Sequence, residues 1–377
     1  MTNKLTKFLI AAALAVTLSY PVAAQQAQTE QPQGDLRDLI NNGTVGIISG
    51  GVTGTYIRIA ADLAAVLDDG YDLRILPIIG KGSLQNIADI LYLKGVDVGI
   101  VQSDVLAYVK REAIHGNVDQ RIHYITKLYN EELHILGGPG IDGIEDLAGK
   151  KVNFGVEGSG THMTATIVFD GMGVEVEPTG YDQALALEKV KSGELAGMVY
   201  VVGKPAQLFQ EISAQDGLRL LPLPYTPELL ETYLPSAFSN DDYPQLIPDG
   251  QRVDTLAVGA VMAVYNWDSE SWRHEKVSRF IDAFLNRFDE FQQPPRHPKW
   301  REVSLSADVP GWTRFGPAQQ WLDQTKVAVQ SAERLEADFQ AFLQEQPEAV
   351  VRSAAADDSQ RNALFEQFLI WQKSRVE

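Results

Sequence analysis

The chain has 377 residues, enough for one large or two ordinary domains, and its 45% hydrophobic content excludes global disorder. Lys and Arg number 32 against 50 Asp and Glu, a net charge of −18, which excludes a nucleic-acid partner because such a partner needs a basic face. No cysteine is present, so disulfides, thiolate nucleophiles and cysteine-ligated zinc are excluded together.

The first residues read as a cleaved secretory signal. Lys4 and Lys7 form a basic start without acids, residues 8–18 are apolar, and Val22, Ala23 and Ala24 place small side chains before Gln25. Cleavage after Ala24 is expected, and with it a periplasmic location. No cysteine follows for a lipid anchor, and no later stretch offers about 18 uninterrupted apolar residues, so a soluble protein without a membrane anchor is expected.

The stretch "TVGIISGGVTGTYIRIAADLAAVL" begins at Thr44. A strand over 45–48 runs into Ser49-Gly50-Gly51-Val52-Thr53-Gly54-Thr55, and a helix follows with Ile57, Ala60, Ala61 and Ala64 on one face. Gly82 and Ser83 start the next helix, which Gly95 ends. A strand over 96–101 then turns through Gln102-Ser103-Asp104 into a helix over 104–112. A short strand over 133–136 is broken by Pro139-Gly140. The stretch "KVNFGVEGSGTHMTATIVFDGMG" from Lys151 then repeats the first pattern: a strand over 152–156, small residues from Gly158 to Thr161, and a helix to Gly171. A second helix ends at Ser192-Gly193, a strand covers 195–201, and Gly203-Lys204-Pro205 opens another helix.

Two β-loop-α-β-α-β units imply parallel strands covered by helices, with ligands beyond the carboxyl ends of the strands. The alternative is a single doubly wound sheet. The rest of the chain reads as an ordered Pro-rich loop over 222–248, a returning apolar strand over 256–265, a helix over 276–291 and a long helix over 321–345. Asp357 and Asp358 would cap a last helix bearing Leu364, Phe365, Phe368, Leu369 and Trp371. The expected fold is α/β and two-lobed, with a C-terminal helical extension. Residues 40–138 plus 256–325 form one lobe, 139–255 the other, and 326–377 the extension. The two crossing strands predict a hinge near 137–140 and 256–265.

Catalytic templates fail. A nucleophile elbow at Ser159 would need glycines where Glu157 and Thr161 stand. A phosphate loop at Gly149-Lys150 meets Ile144 and Lys151 at the wrong places. The six histidines show no metal-ligand spacing. No catalytic residue, metal or cofactor is expected, and the protein does not read as an enzyme. Binding remains. Thr53, Thr55, Ser83, Ser103, Ser159 and Thr161 all fall where helices begin. Capping alone explains each of them, whereas their joint placement in two matching units points to a cradle for a carboxylate.

The runs "SGGVTGTY", "GSLQNIADILYLKGVDVGIVQSD", "LYNEELH", "DLAGKKVNFGVEGSGT" and "GKPAQL" resemble the TAXI group of solute-binding proteins of TRAP transporters, over about residues 40–325. The resemblance implies the type II periplasmic binding-protein fold. It also implies capture of a small organic anion, such as glutamate, a 2-oxoacid or a dicarboxylate, for a two-part membrane permease. The ligand contacts it implies are Thr53, Thr55, Tyr56, Ser83, Gln102, Ser103, Ser159 and Thr161. Tyr56 serves either the ligand or the core, and Asp104 is either a helix cap or a partner for a ligand ammonium. Lys204, at a helix start near the cleft, is the candidate for an added positive charge. Asn130 stands where the family usually has proline, which is expected to loosen the crossing strand, and residues 326–377 extend past the usual family end. A monomer is expected. Alternatives are a binding protein serving an ABC importer or a sensor kinase, and a secreted enzyme on the same fold.

Overall fold

The computed structural model describes residues 43–345 and residue 368. The expected signal segment lies outside these, as does the last expected helix apart from Phe368. The first unit consists of β1 (Thr44–Ile48), α1 (Thr55–Leu67), β2 (Arg74–Ile78), α2 (Ser83–Tyr92), β3 (Val98–Gln102) and α3 (Val105–Arg111). The long strand β4 (Ile122–Gly137) follows. The second unit is β5 (Lys151–Asn153), α4 (Gly160–Met172), β6 (Glu177–Thr179), α5 (Gln183–Lys191) and β7 (Gly197–Val202). Then come β8 (Arg219–Leu220), β9 (Leu234–Ser239), β10 (Arg252–Tyr265), α6 (Trp272–Asn286) and α7 (Gly316–Glu345).

The expected repeat is present in the topology. β1 lies between β2 and β3, parallel to both, and β5 lies between β6 and β7 in the same way. β3 and β7 are buried at every position because helices cover both faces of the sheet, which suits their near-continuous apolar sequences. α1 buries Tyr56, Ile59, Ala60, Leu63, Val66 and Leu67, a stripe at helical spacing that packs into the core of the first half.

The halves share one continuous sheet, in the order β2-β1-β3-β10-β4-β7-β5-β6. β4 and β10 are antiparallel neighbours that belong to both halves. β4 pairs with β10 from Ile122 to Glu132, then with β7 from Glu132 to Gly137. β10 pairs with β9 from Arg252 to Ala257 and with β3 from Ala260 to Val264. The partners therefore change near residues 130–133 of β4 and 256–260 of β10. Gly137, where the expected hinge begins, sits deep in the second half, opposite both Gly197 and Arg219, so these strands change partners before 137–140. Asn130 does not interrupt β4; it faces Gly259 in the ladder and accepts a hydrogen bond from Lys127 Nζ at 2.8 Å.

Two further expectations change. The Pro-rich stretch 222–248 contains strand β9, which β10 orders by pairing along its length. Pro205 precedes its helix rather than opening it, since the helical turn runs Gln207–Gln210 after an Ala206 N-cap. At the return of the chain, Lys276 of α6 is buried against Asp97 at 2.7 Å, and Asp97 also accepts from the Gly46 amide at 3.0 Å. This pair fixes the helix to the edge of β1 and β3, and both charges are satisfied where an unpaired one would be costly. The C-terminal helix docks on the first half through Trp321, whose indole N–H donates to Asn286 at 3.0 Å. Phe368 packs edge-on against Phe339 at 5.0 Å. No helix among the described residues is long and apolar enough to cross a membrane.

Candidate functional site

Helix starts from both halves converge at the carboxyl ends of β1, β3 and β7. α1 follows an N-cap glycine, Gly54, and α2 follows Gly82; neither has a side-chain cap. The first N–H groups of a helix have no partner within it, so the openings of α1 and α2 keep donors for another acceptor. Gly82 holds φ at 104°, a conformation that favours glycine. α4 enters from the other half at Gly160. A Cβ on Gly160 would lie 1.8 Å from Gln102 Oε1 and 2.5 Å from Ser83 Oγ, so only glycine allows this approach.

A cavity of about 60 Å³ lies between these helix starts. An outer chamber of about 290 Å³ shares Gly51, Lys81, Ser159, Thr161 and Tyr200 with it. The halves are closed over it. The Gln85 amide donates to the Gly158 carbonyl at 2.9 Å, Gln102 Nε2 donates to Thr164 Oγ1 at 3.3 Å, and Thr53 Oγ1 meets the Tyr200 hydroxyl at 3.3 Å.

Of the nine residues expected at the site, Thr55, Tyr56, Ser83, Gln102, Ser159 and Thr161 line the inner cavity, and Thr53 lines the outer chamber. Ser103 and Lys204 line neither. The Ser103 amide and carbonyl are committed to Gly259 and the Trp312 indole, both at 2.8 Å, which turns this residue into the β10 side of the first half. Lys204 Nζ reaches away to the Ala237 carbonyl and to Asp242 at 3.2 Å, so its charge belongs to the wall of the second half. Lys81, missed in the sequence, is the cation that lines both chambers. Its signal was its position directly before the Gly82-Ser83 helix start.

The hydroxyls have partly structural duties. Ser159 Oγ caps α4 by accepting from the His162 amide at 3.1 Å, and Thr161 Oγ1 accepts from the Val201 amide at 3.2 Å. Each hydroxyl keeps its proton to donate. Ser83 and Gln102 fix one another: Ser83 Oγ donates to Gln102 Oε1 at 3.0 Å and accepts from the Gln102 amide at 2.9 Å.

Two buried acids also bear on the site: Glu131, missed in the sequence, and Asp104, expected either as a helix cap or as a partner for a ligand ammonium. Glu131 of β4 lines the inner cavity at 3% exposure and accepts from the Tyr56 hydroxyl at 2.6 Å. Burial pushes its carboxyl up to about 8. Asp104 stands at the N-cap position of α3, yet its carboxylate does not cap; it accepts instead from Thr164 at 3.3 Å and Tyr233 at 3.1 Å of the opposite half. Burial raises it to about 6, against those two hydrogen bonds. Behind the cleft, burial lowers His134 to about 3. Its Nδ1 faces the Glu132 and Tyr200 carbonyls and therefore carries the proton, so Nε2 accepts from Tyr243 at 2.6 Å.

A model of the NMT1-like family matches residues 47–308, a span that holds every lining residue of the cleft. The chain belongs to the NMT1-like family. Several solved structures resemble this NMT1-like protein at low identity. The periplasmic aliphatic sulphonate binding protein SsuA of Escherichia coli is 16% identical, over 66% of this chain and 71% of its own, with a TM-score of 0.39. The alkanesulfonate-binding protein SsuA of Xanthomonas axonopodis pv. citri is 13% identical, over 74% and 82%, with a TM-score of 0.41. A protein described as a periplasmic transporter is 13% identical, over 77% and 96%, with a TM-score of 0.46.

The two duties of Thr161 separate experimentally. Thr161→Val leaves the buried Val201 amide without an acceptor, which costs about 1–3 kcal/mol of stability. Thr161→Ser keeps the oxygen and is expected to restore most of that loss. Urea unfolding showing the valine variant as stable as the parent would contradict the assignment.

The buried acids predict a pH dependence. Asp104 and Glu131 titrate at ordinary values of 3.8 and 4.5 when exposed, and the fold raises both. The folded protein therefore holds protons that the unfolded chain releases. This contribution to stability is complete below about pH 4 and is lost as pH rises to about 8. Melting temperatures of Asp104→Asn and Glu131→Gln across that window are expected to fall less with pH than those of the parent. Parallel curves would contradict it.

Proposed function

We propose that this NMT1-like protein is a periplasmic solute-binding protein that captures a small organic anion, of the glutamate, 2-oxoacid or dicarboxylate class, in the cleft between its halves. It hands that anion to a TRAP membrane permease. The observation that carries the reading is the convergence of the uncapped starts of α1 and α2 on one cavity, with α4 facing them from the other half. Donors and dipole ends of this kind favour negative charge without an arginine. Ser159 and Thr161 offer hydroxyl protons, and Lys81 offers a cation at the junction of the two chambers.

The permease partner rests on the sequence resemblance to the TAXI group. The change of strand partners near 130–133 and 256–260 supplies the place where the halves would open and close around the ligand. Holding the ligand is the whole of the proposed activity.

A thermal-shift screen tests the reading. Carboxylates that enter the cleft are expected to raise the melting temperature, because binding the folded state alone stabilises it by about 2.7 kcal/mol at a hundredfold excess over Kd. The amides of the same acids are expected to do nothing. Stabilisation by neutral sugars or by cations, with none by organic acids, would contradict it.

A further inference from the structure

The inner cavity holds a carboxyl where the surrounding helix ends favour an anion, and Glu131 has no cation of its own. Lys81 lines the same cavity but forms no ion pair with it among the described residues, and Lys299, whose charge bears on it, already sits 3.4 Å from Glu132 and 3.0 Å from Glu302. Among the described residues no ion pair joins Glu131. The titratable groups that bear on it are Tyr56 of α1, Tyr129 and Glu132 of β4, Asp104 at the end of β3, Tyr200 of β7 and Lys299 of the turn Pro298–Glu302. Three of these are phenols and two are acids. Tyr56 is itself raised by burial, so it stays a neutral phenol and donates its proton to Glu131 Oε2.

Resting on the reading of the cleft as an anion site, we infer that Glu131 keeps its proton and donates it to the captured anion, so that the cleft selects anions presenting only acceptors there, such as 2-oxoacids, over α-amino acids. Ionised, Glu131 would repel a carboxylate held at the starts of α1 and α2. Protonated, it adds an O–H donor beside their N–H groups, and burial pushes it in that direction. An α-amino acid reverses the demand. Its ammonium group is a donor whose charge favours the ionised form of Glu131, so its capture works against the proton that a 2-oxoacid retains. Where free Glu131 is partly ionised, capture of a 2-oxoacid must therefore draw one proton from solvent to the Glu131 carboxyl. No other bond changes.

Calorimetric titration with 2-oxoglutarate and with L-glutamate, in two buffers of different ionisation heat, reads the direction of proton movement. Between about pH 6 and 9, binding of 2-oxoglutarate is expected to take up a growing fraction of a proton, approaching one. L-glutamate is expected to bind at least about tenfold more weakly. Glu131→Gln keeps an acceptor for Tyr56 and an N–H donor for the ligand, so it is expected to bind 2-oxoglutarate without proton uptake and with little pH dependence. A ligand-free arm covers a variant that folds poorly or a cleft that takes neither compound. Infrared difference spectra at about pH 7 should show a protonated carboxyl in the parent that the variant lacks. Binding of 2-oxoglutarate with proton release or no exchange, tighter binding of L-glutamate, or absence of the protonated band would each overturn the inference. Failure to bind either compound at millimolar concentration, with the band present, would overturn the anion reading beneath it.

Discussion

A helix leaves its first N–H groups without partners, and three helices here begin at one place. The geometry of the cleft follows from that constraint. Glycines precede α1 and α2, so no side chain absorbs those donors, and glycine at the start of α4 lets the second half come within contact of Ser83 and Gln102. The remaining lining groups are arranged around the same need. Ser83 and Gln102 lock each other, and Ser159 and Thr161 spend their lone pairs on the backbone while keeping their protons.

The sheet explains how two repeat units come to share this place. Each unit alone would end in its own row of loops. β4 and β10 run through both, so the carboxyl ends of the two parallel sets face each other across the point where these strands change partners. β4 delivers Glu131 to the cavity at that crossing. One residue later it delivers Glu132 to Lys299, and two residues beyond that His134 to Tyr243. The place where β4 changes partners and the polar floor of the site are thus one strand segment. Any opening of the halves would act directly on the hydrogen bonds that hold the floor, including those from Thr164 and Tyr233 to Asp104.

Much of this was legible in the sequence, for identifiable reasons. A short apolar strand followed by glycines and small hydroxyls is a local signal, and it found both units and seven of the nine expected residues around the two chambers. What failed depended on distant partners. β4 read as four residues because Lys127, Asn130, Glu131 and Glu132 break its apolar run; Lys127 and Asn130 answer each other, while Glu131 and Glu132 are answered from α1 and the turn near 299. β9 lay hidden among prolines because its order comes from β10. Ser103 and Lys204 stood at the right helix starts, but their partners at Gly259, Trp312 and Asp242 took them out of the cleft. Family membership over residues 47–308 agrees with the reach of the resemblance, while the chemistry of the floor came only from the folded contacts.

In the proposed function, backbone donors at converging helix starts hold the ligand's charge. The most direct measurement is a crystal structure of the protein grown with an organic anion that stabilises it. An oxygen of that anion is expected within about 3 Å of amide nitrogens at the openings of α1 and α2, with Ser159 or Thr161 completing the cradle from the other half. A ligand held by side-chain charges elsewhere, with those amides facing only solvent, would contradict it.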